Sequence, residues 1–287
     1  LHWPYCRDDI PWMECEKEEA NLPQYVKNAG PPPHLDKQNG WKESWRALED
    51  IYTGHVNLGD DNLPILESIG VSNFDLAEMT ELVQLARVPP SIYQGNVWSY
   101  VFDPALMEFL TLHDIHFQAY NVMNAIFSRQ DASPRALQAL EFVGQELVAS
   151  ATPSQVVLKW LIQNNVSVIP RTANLDHLKS NAHHNIPVLS SQHVERVRTA
   201  VKALLQGQDL DPPVARFHNH HDESIHVYWK SDSGEEHPVM LDVAPGSWHE
   251  QQTYPGHRFL AYNGDRTKRK ELQIPQVFAE TVELHIE

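Results

Sequence analysis

From residue 66 to about 205, short apolar runs alternate with longer segments whose apolar positions recur at helical spacing. Leu66–Val71 reads as a strand that leads into Ser72-Asn73-Phe74. Asp75 followed by Glu78 makes a capping box, and Leu76, Met79, Leu82, Val83 and Ala86 predict one apolar helix face over 76–87, stopped by Pro89-Pro90. Ser91–Val97 reads as a second strand, Pro104–His113 as a helix and Ile115–Tyr120 as a third strand. Ser133-Pro134 puts an N-cap serine and a first-turn proline at the head of the next helix. Thr152-Pro153 starts another, and a last amphipathic helix runs from Ser191 to about Leu205. Val166–Pro170, short and wholly apolar, has the pattern of a strand buried on both faces. This alternation predicts βα units on a parallel sheet, with strands near 1–3, 67–71, 92–97, 115–120 and 166–169.

After a polar, proline-ended linker at 206–213 the pattern changes to short β-type runs. These are Val214–Asn219, Ser224–Trp229, Pro238–Val243 and His257–Asn263, divided by turns at Ser233-Gly234, Ala244-Pro245-Gly246 and Asn263-Gly264. The fold class expected is therefore α/β over 1–205, followed by a small all-β sandwich over 214–287. Residues 4–40 read as a long irregular stretch.

Composition narrows the function. The formal net charge of −16 opposes phosphate backbones and anionic lipid surfaces, so neither nucleic acid nor membrane is an expected partner. No apolar run approaches the roughly 20 residues of a membrane span. Cys6 and Cys15 read as ordinary thiols, which suits a reducing compartment and a cytoplasmic location. His183-His184 and the group His218, His220, His221 show no recognised ligand spacing, so no metal site is expected.

Several ordered motifs in the first 205 residues resemble the aldo-keto reductases. They are Leu1-His2-Trp3-Pro4, Ser44-Trp45-Arg46-Ala47-Leu48-Glu49, Ile69-Gly70-Val71-Ser72-Asn73-Phe74, Pro153–Trp160 and Val168-Ile169-Pro170-Arg171-Thr172. The resemblance implies a TIM-type (β/α)₈ barrel, present here in part, that uses NADPH to reduce a small carbonyl substrate. It implies that His2 orients the substrate carbonyl and that Ser72, Asn73 and Gln94 bind the nicotinamide carboxamide. Tyr120 matches the residue that stacks on the nicotinamide ring, with Asn121 following it. Arg171, Thr172 and Asn174 match the segment that grips the 2′-phosphate, and Asn181 lies near the adenine. The residue types suit those roles: amides pair with an amide, a flat ring with a flat ring, and a guanidinium fork with phosphate.

The departures are in the catalytic set and beside the phosphate. The family's first three strands supply an Asp, a Tyr proton donor and a Lys, and none has a counterpart in this sequence. His177 stands where the family often has a second Arg, and Asn121 and Met123 replace a Ser and a Leu. Two readings follow. In one, the first three βα units lie upstream of this sequence and the protein is a carbonyl reductase. In the other, the chain is a remodelled pseudoenzyme that serves as a structural or accessory subunit.

Within 214–287, the run His249–Phe259 with Asn219, Val227-Tyr228-Trp229 and Ala244-Pro245-Gly246 resembles the von Hippel–Lindau β domain. That resemblance implies a protein-interaction module in which Trp229, Thr253, Tyr254 and His257 line a peptide pocket. Phe259 stands where a Trp is expected, and Val239 or Met240 replaces a Tyr.

Overall fold

The computed structural model describes residues 1–7, 10, 13–29, 39–56, 66–182, 186–267 and 269–287. His183-His184 therefore lie outside the described residues. Two units divide the chain, Leu1–Ala125 with Asn164–Thr172 and Ile126–Gln163 with Ala173–Glu287.

In the first unit β1 (Gly70–Ser72), β2 (Ile92–Asn96), β3 (His116–Tyr120) and β4 (Ser167–Val168) form one parallel sheet in chain order. Val71, Tyr93, Phe117 and Ala119 are buried, and the polar side chains that matter below alternate with them. Residues 1–3 do not form a ladder strand. Leu1 ties to β1, its ammonium donating to Gly70 O (2.8 Å) and its carbonyl accepting from Ser72 N–H (2.8 Å).

The capping box at Asp75 and Glu78 is formed, and the helix it opens spans Leu76–Leu85. Val97, expected to end a strand, instead starts a helix over Val97–Phe102, because Asn96 Oδ1 accepts from Trp98 N–H (3.0 Å) and caps it. The expectation that 166–170 is buried on both faces is also corrected. β4 lies at the edge of the sheet and Ile169 is 41% exposed, so only Val166 of that run is buried.

The irregular reading of 4–40 is corrected in part by two short helices, Cys15–Asn21 and Gln24–Ala29. The expectation of ordinary thiols is corrected too: Cys6 and Cys15 form a disulfide across Cα atoms 5.7 Å apart. Turn hydrogen bonds from Ile10 N–H to Arg7 O (3.3 Å) and Met13 N–H to Ile10 O (2.9 Å) fold the chain back and bring the sulfurs together. That bond removes the free-thiol ground for a reducing compartment.

Helix Gly40–Tyr52 buries Trp41, Trp45 and Glu49, at positions i, i+4 and i+8 of one face. Glu49 Oε1 accepts from the N–H groups of Arg87 (2.6 Å) and Val88 (2.9 Å), and Oε2 accepts from Arg87 Nε (2.9 Å). A buried carboxylate thus holds the loop before the Pro89-Pro90 stop.

In the second unit, helix Pro134–Glu146 begins with proline in its first turn, as read. Ser133 does not cap it: among the described residues its buried hydroxyl has no hydrogen-bond partner. Asp209 Oδ1, far along the chain, accepts from Arg135 N–H (2.8 Å) and Ala136 N–H (3.3 Å) instead. Asp209→Ala should therefore lose about 1–2 kcal/mol of stability, the range of an N-cap, while Ser133→Ala should cost less. Thermal melts of both variants check the order, and the reverse order would refute the assignment.

Residues 214–287 form two sheets. One is antiparallel, ordered β10 (Arg269–Gln273), β9 (Arg258–Asn263), β6 (Ile225–Lys230), β7 (Glu236–Val243). The other runs β11 (Thr281–Ile286), β5 (Val214–Asn219), β8 (Trp248–Gln252), with β11 parallel to β5. Phe217 from one sheet and Ile225, Val227 and Phe259 from the other share a single core. The helices are tied to this region. Arg196 on helix Ser191–Gln206 donates to Glu146 Oε2 (2.7 Å) and to Gln276 O (2.5 Å), and Phe142 stacks on Phe278 with centroids 5.8 Å apart.

Among the described residues, no helix is long and apolar enough to cross a membrane. Nor, among them, is any group of three or more His, Cys, Asp or Glu arranged to hold a metal ion. His218, His220 and His285 stack ring against ring, with centroids 4.8–6.0 Å apart.

Candidate active site

The parallel register places Ser72 beside Gln94 and Gln94 beside Gln118, while Asn96 faces Tyr120 one step further along. Side chains at strand ends and in the following turns then converge. Tyr120 Oη donates to Asn73 Oδ1 (2.6 Å). Asn73 Nδ2 donates to Ser72 Oγ (3.0 Å) and to the His2 carbonyl (3.0 Å). Ser72 Oγ donates to the Gln94 carbonyl (2.8 Å), and Gln94 Nε2 donates to Gln118 Oε1 (2.8 Å). Asn73 adopts φ 62°, a left-handed conformation that Asn tolerates better than most residues, and this turns its amide back across the strand ends. His2, Ser72, Asn73, Gln94 and Tyr120 are thus brought into one connected cluster.

Burial raises the pKa of the Tyr120 hydroxyl above the ordinary phenol value, against a smaller lowering by its hydrogen bond with Asn96. The hydroxyl is therefore a neutral donor at physiological pH. Its ring is half-buried, and no other aromatic ring is recorded against it among the described residues. His2 is exposed, and it is bonded to the cluster through its backbone carbonyl. Asn121, also at positive φ (57°), is exposed in the turn after Tyr120.

A model of the aldo/keto reductase family matches residues 1–202. The chain belongs to the aldo/keto reductase family. Among curated relatives, the NAD(P)H-dependent pentose reductase of Pyricularia oryzae is 29% identical over 214 residues, 72% of this chain and 60% of that protein. The NADPH-dependent D-xylose reductase of Meyerozyma guilliermondii is 29% identical over 161 residues, 54% of this chain and 48% of that protein. The chain thus spans between about half and three-fifths of the length of these two relatives. Among solved structures, an aldose reductase from Giardia lamblia is 18% identical, with a TM-score of 0.48 over 73% of this chain and 62% of that one.

Arg171 is exposed three residues beyond β4, with no ion pair recorded among the described residues, and Thr172 beside it is half-buried. In the second unit Asn174 caps helix Leu175–Ser180, its Oδ1 accepting from Asp176 N–H (2.8 Å) and His177 N–H (3.4 Å). Asn181 closes the same helix.

The four residues read as a peptide pocket are brought together in the β region. The Trp229 and His257 rings are 5.4 Å apart, Tyr254 meets His257 edge-on at 5.4 Å, and Thr253 Oγ1 lies 3.0 Å from His257 Nδ1. Burial lowers the pKa of His257, against a smaller raising by Asp232.

The sequence reading missed Gln118 and Asn96. A polar residue set between two apolar ones, Phe117 and Ala119, in a short strand was the available signal for Gln118.

Proposed function

We propose that this chain carries the nicotinamide-binding side of an NADPH-dependent carbonyl reductase site, and that its strands form part of the (β/α)₈ barrel of its family. The observation that carries the reading is the connected cluster of Ser72, Asn73, Gln94 and Tyr120. The residue types suit the group: amides and a hydroxyl beside a carboxamide, an aromatic ring beside a ring, and an exposed guanidinium at Arg171 for the 2′-phosphate. Asn121 and Thr172 would extend that dinucleotide site. Bound NADPH supplies a hydride to the carbonyl of a small substrate. His2 would orient that carbonyl from the open side, while Tyr120 and Asn73 hold the ring-facing wall rigid through their mutual bond.

The test is equilibrium binding. NADPH should quench the fluorescence of the chain saturably. Arg171→Ala should weaken NADPH by about 10- to 100-fold, the worth of a charge-assisted hydrogen bond, and move NADH less than threefold, because only NADPH carries the 2′-phosphate. An equal loss for both dinucleotides would remove Arg171 from the phosphate site, and no saturable NADPH binding would refute the reading.

We further propose that 214–287 is a von Hippel–Lindau-like interaction module that takes a protein partner at Trp229, Thr253, Tyr254 and His257. Tyr254→Ala, which removes an exposed ring, should abolish capture of that partner without changing NADPH affinity.

A further inference from the structure

We infer that Gln118 is a positioning residue for the carboxamide subsite: it turns the Gln94 side chain so that Gln94 presents an acceptor, not a donor, to the nicotinamide amide. The inference rests on the nicotinamide reading and adds to it a residue that acts only through Gln94.

A glutamine amide carries two donors at one end and two lone pairs at the other, and its terminal torsion is broad. Unheld, it offers a ligand either end. In this sheet it is held. Gln118 stands opposite Gln94 in the β2–β3 register, and its Oε1 accepts from Gln94 Nε2 at 2.8 Å. No other side-chain bond of the Gln94 amide is recorded among the described residues.

The neighbours on the other side do not substitute for it. Ser72 Oγ spends its proton on the main-chain carbonyl of Gln94. The Asn73 amide is engaged at both ends, by Tyr120 at Oδ1 and by His2 and Ser72 at Nδ2. With Nε2 anchored on Gln118, Gln94 Oε1 is left as a hydrogen-bond acceptor. That polarity matches the NH₂ of a carboxamide and has nothing to offer a methyl ketone at the same place. Gln118 therefore sets a preference for an amide-bearing pyridine ring over a ketone-bearing one.

The experiment uses the full chain and two probes, NADP⁺ and its 3-acetylpyridine analogue, which replaces the carboxamide with a methyl ketone. Both carry the same phosphates and the same cationic ring, so a general loss of folding or of phosphate binding moves them together. Calorimetric titration of the parent should give a clear preference for NADP⁺. Gln118→Leu should lower that preference by about threefold to tenfold, the worth of one hydrogen bond, through weaker NADP⁺ binding, with the analogue changed by less than about twofold. Gln118→Glu, which keeps an acceptor oxygen facing Gln94 Nε2, should restore it. Equal weakening of both probes, or an unchanged preference in Gln118→Leu, overturns the role of Gln118 while leaving the nicotinamide reading intact. A parent chain that binds neither probe overturns the nicotinamide reading and this inference with it.

Discussion

Incubated with NADPH and a reactive aromatic aldehyde such as a nitrobenzaldehyde, this chain should oxidise the dinucleotide no faster than a protein-free control. Hydride arrival at a carbonyl builds negative charge on its oxygen, and a positioned proton donor must meet that charge in the transition state. The donors within the cluster are poorly placed to do so. The Tyr120 hydroxyl is committed to Asn73 Oδ1 at 2.6 Å, and burial raises its pKa, so it gives up its proton reluctantly. His2 is exposed and is bonded to the cluster through its backbone carbonyl. Loss of a positioned acid costs about 10²- to 10⁴-fold. The absorbance of NADPH followed over time checks this. Turnover well above the control and abolished by His2→Ala would make His2 the acid and sink the accessory-subunit alternative. Turnover abolished by Tyr120→Phe and not by His2→Ala would assign the proton to Tyr120.

Replacing Glu49 with Ala should cost about 3–5 kcal/mol, the range for breaking a buried charged network. The carboxylate is 1% exposed and accepts three hydrogen bonds, two of them from the backbone N–H groups of Arg87 and Val88. Most of the loss comes from those two amides, left unsatisfied at about 1–3 kcal/mol each. The Arg87 guanidinium is exposed and contributes less, because solvent screens it. A melt should fall by roughly 10 °C, and Arg87→Ala should fall by clearly less. Equal losses in the two variants would mean that the ion pair, not the backbone anchoring, carries the stability.

The same carboxylate sets a pH dependence. Burial alone would raise its pKa, but the Val88 and Arg87 N–H groups and the Arg87 guanidinium together bring it below the usual glutamate value. A depressed folded-state pKa adds stability at pH values above the unfolded pKa, and that stability is lost as pH falls through the folded value. Stability of the parent should therefore drop on acidification below the ordinary glutamate range, and the drop should be smaller in Glu49→Gln.

The elements whose signal is local were legible in the sequence. The capping box of Asp75 and Glu78 closes within one turn, so it needs no tertiary partner, and it formed as read. The β2 and β3 strands and the helices between them follow from apolar periodicity, because each buries a face whose spacing is its own. Strands β5, β6 and β9 announced themselves through β-branched and aromatic alternation between turns. β8 did not, because every residue from Trp248 to Gln252 is exposed on a sheet edge and no face is marked by burial. β11 carries the same kind of local signal, the alternation of Val282, Leu284 and Ile286 with polar residues.

Residue types at the candidate site were readable too, as a set of amides, a hydroxyl and an aromatic ring at strand ends. Their connections were not. Which atom of Asn73 meets Tyr120, and that Gln118 rather than solvent holds Gln94, depends on register between strands more than twenty residues apart. The same holds for the cap supplied by Asp209 in place of Ser133 and for the exposure of Ile169. Periodicity tells a residue which face of its own element it occupies, and that much belongs to the sequence. What stands opposite that face is set by long-range packing, and for this chain it decided the hydrogen bonds that join one strand end of the site to the next.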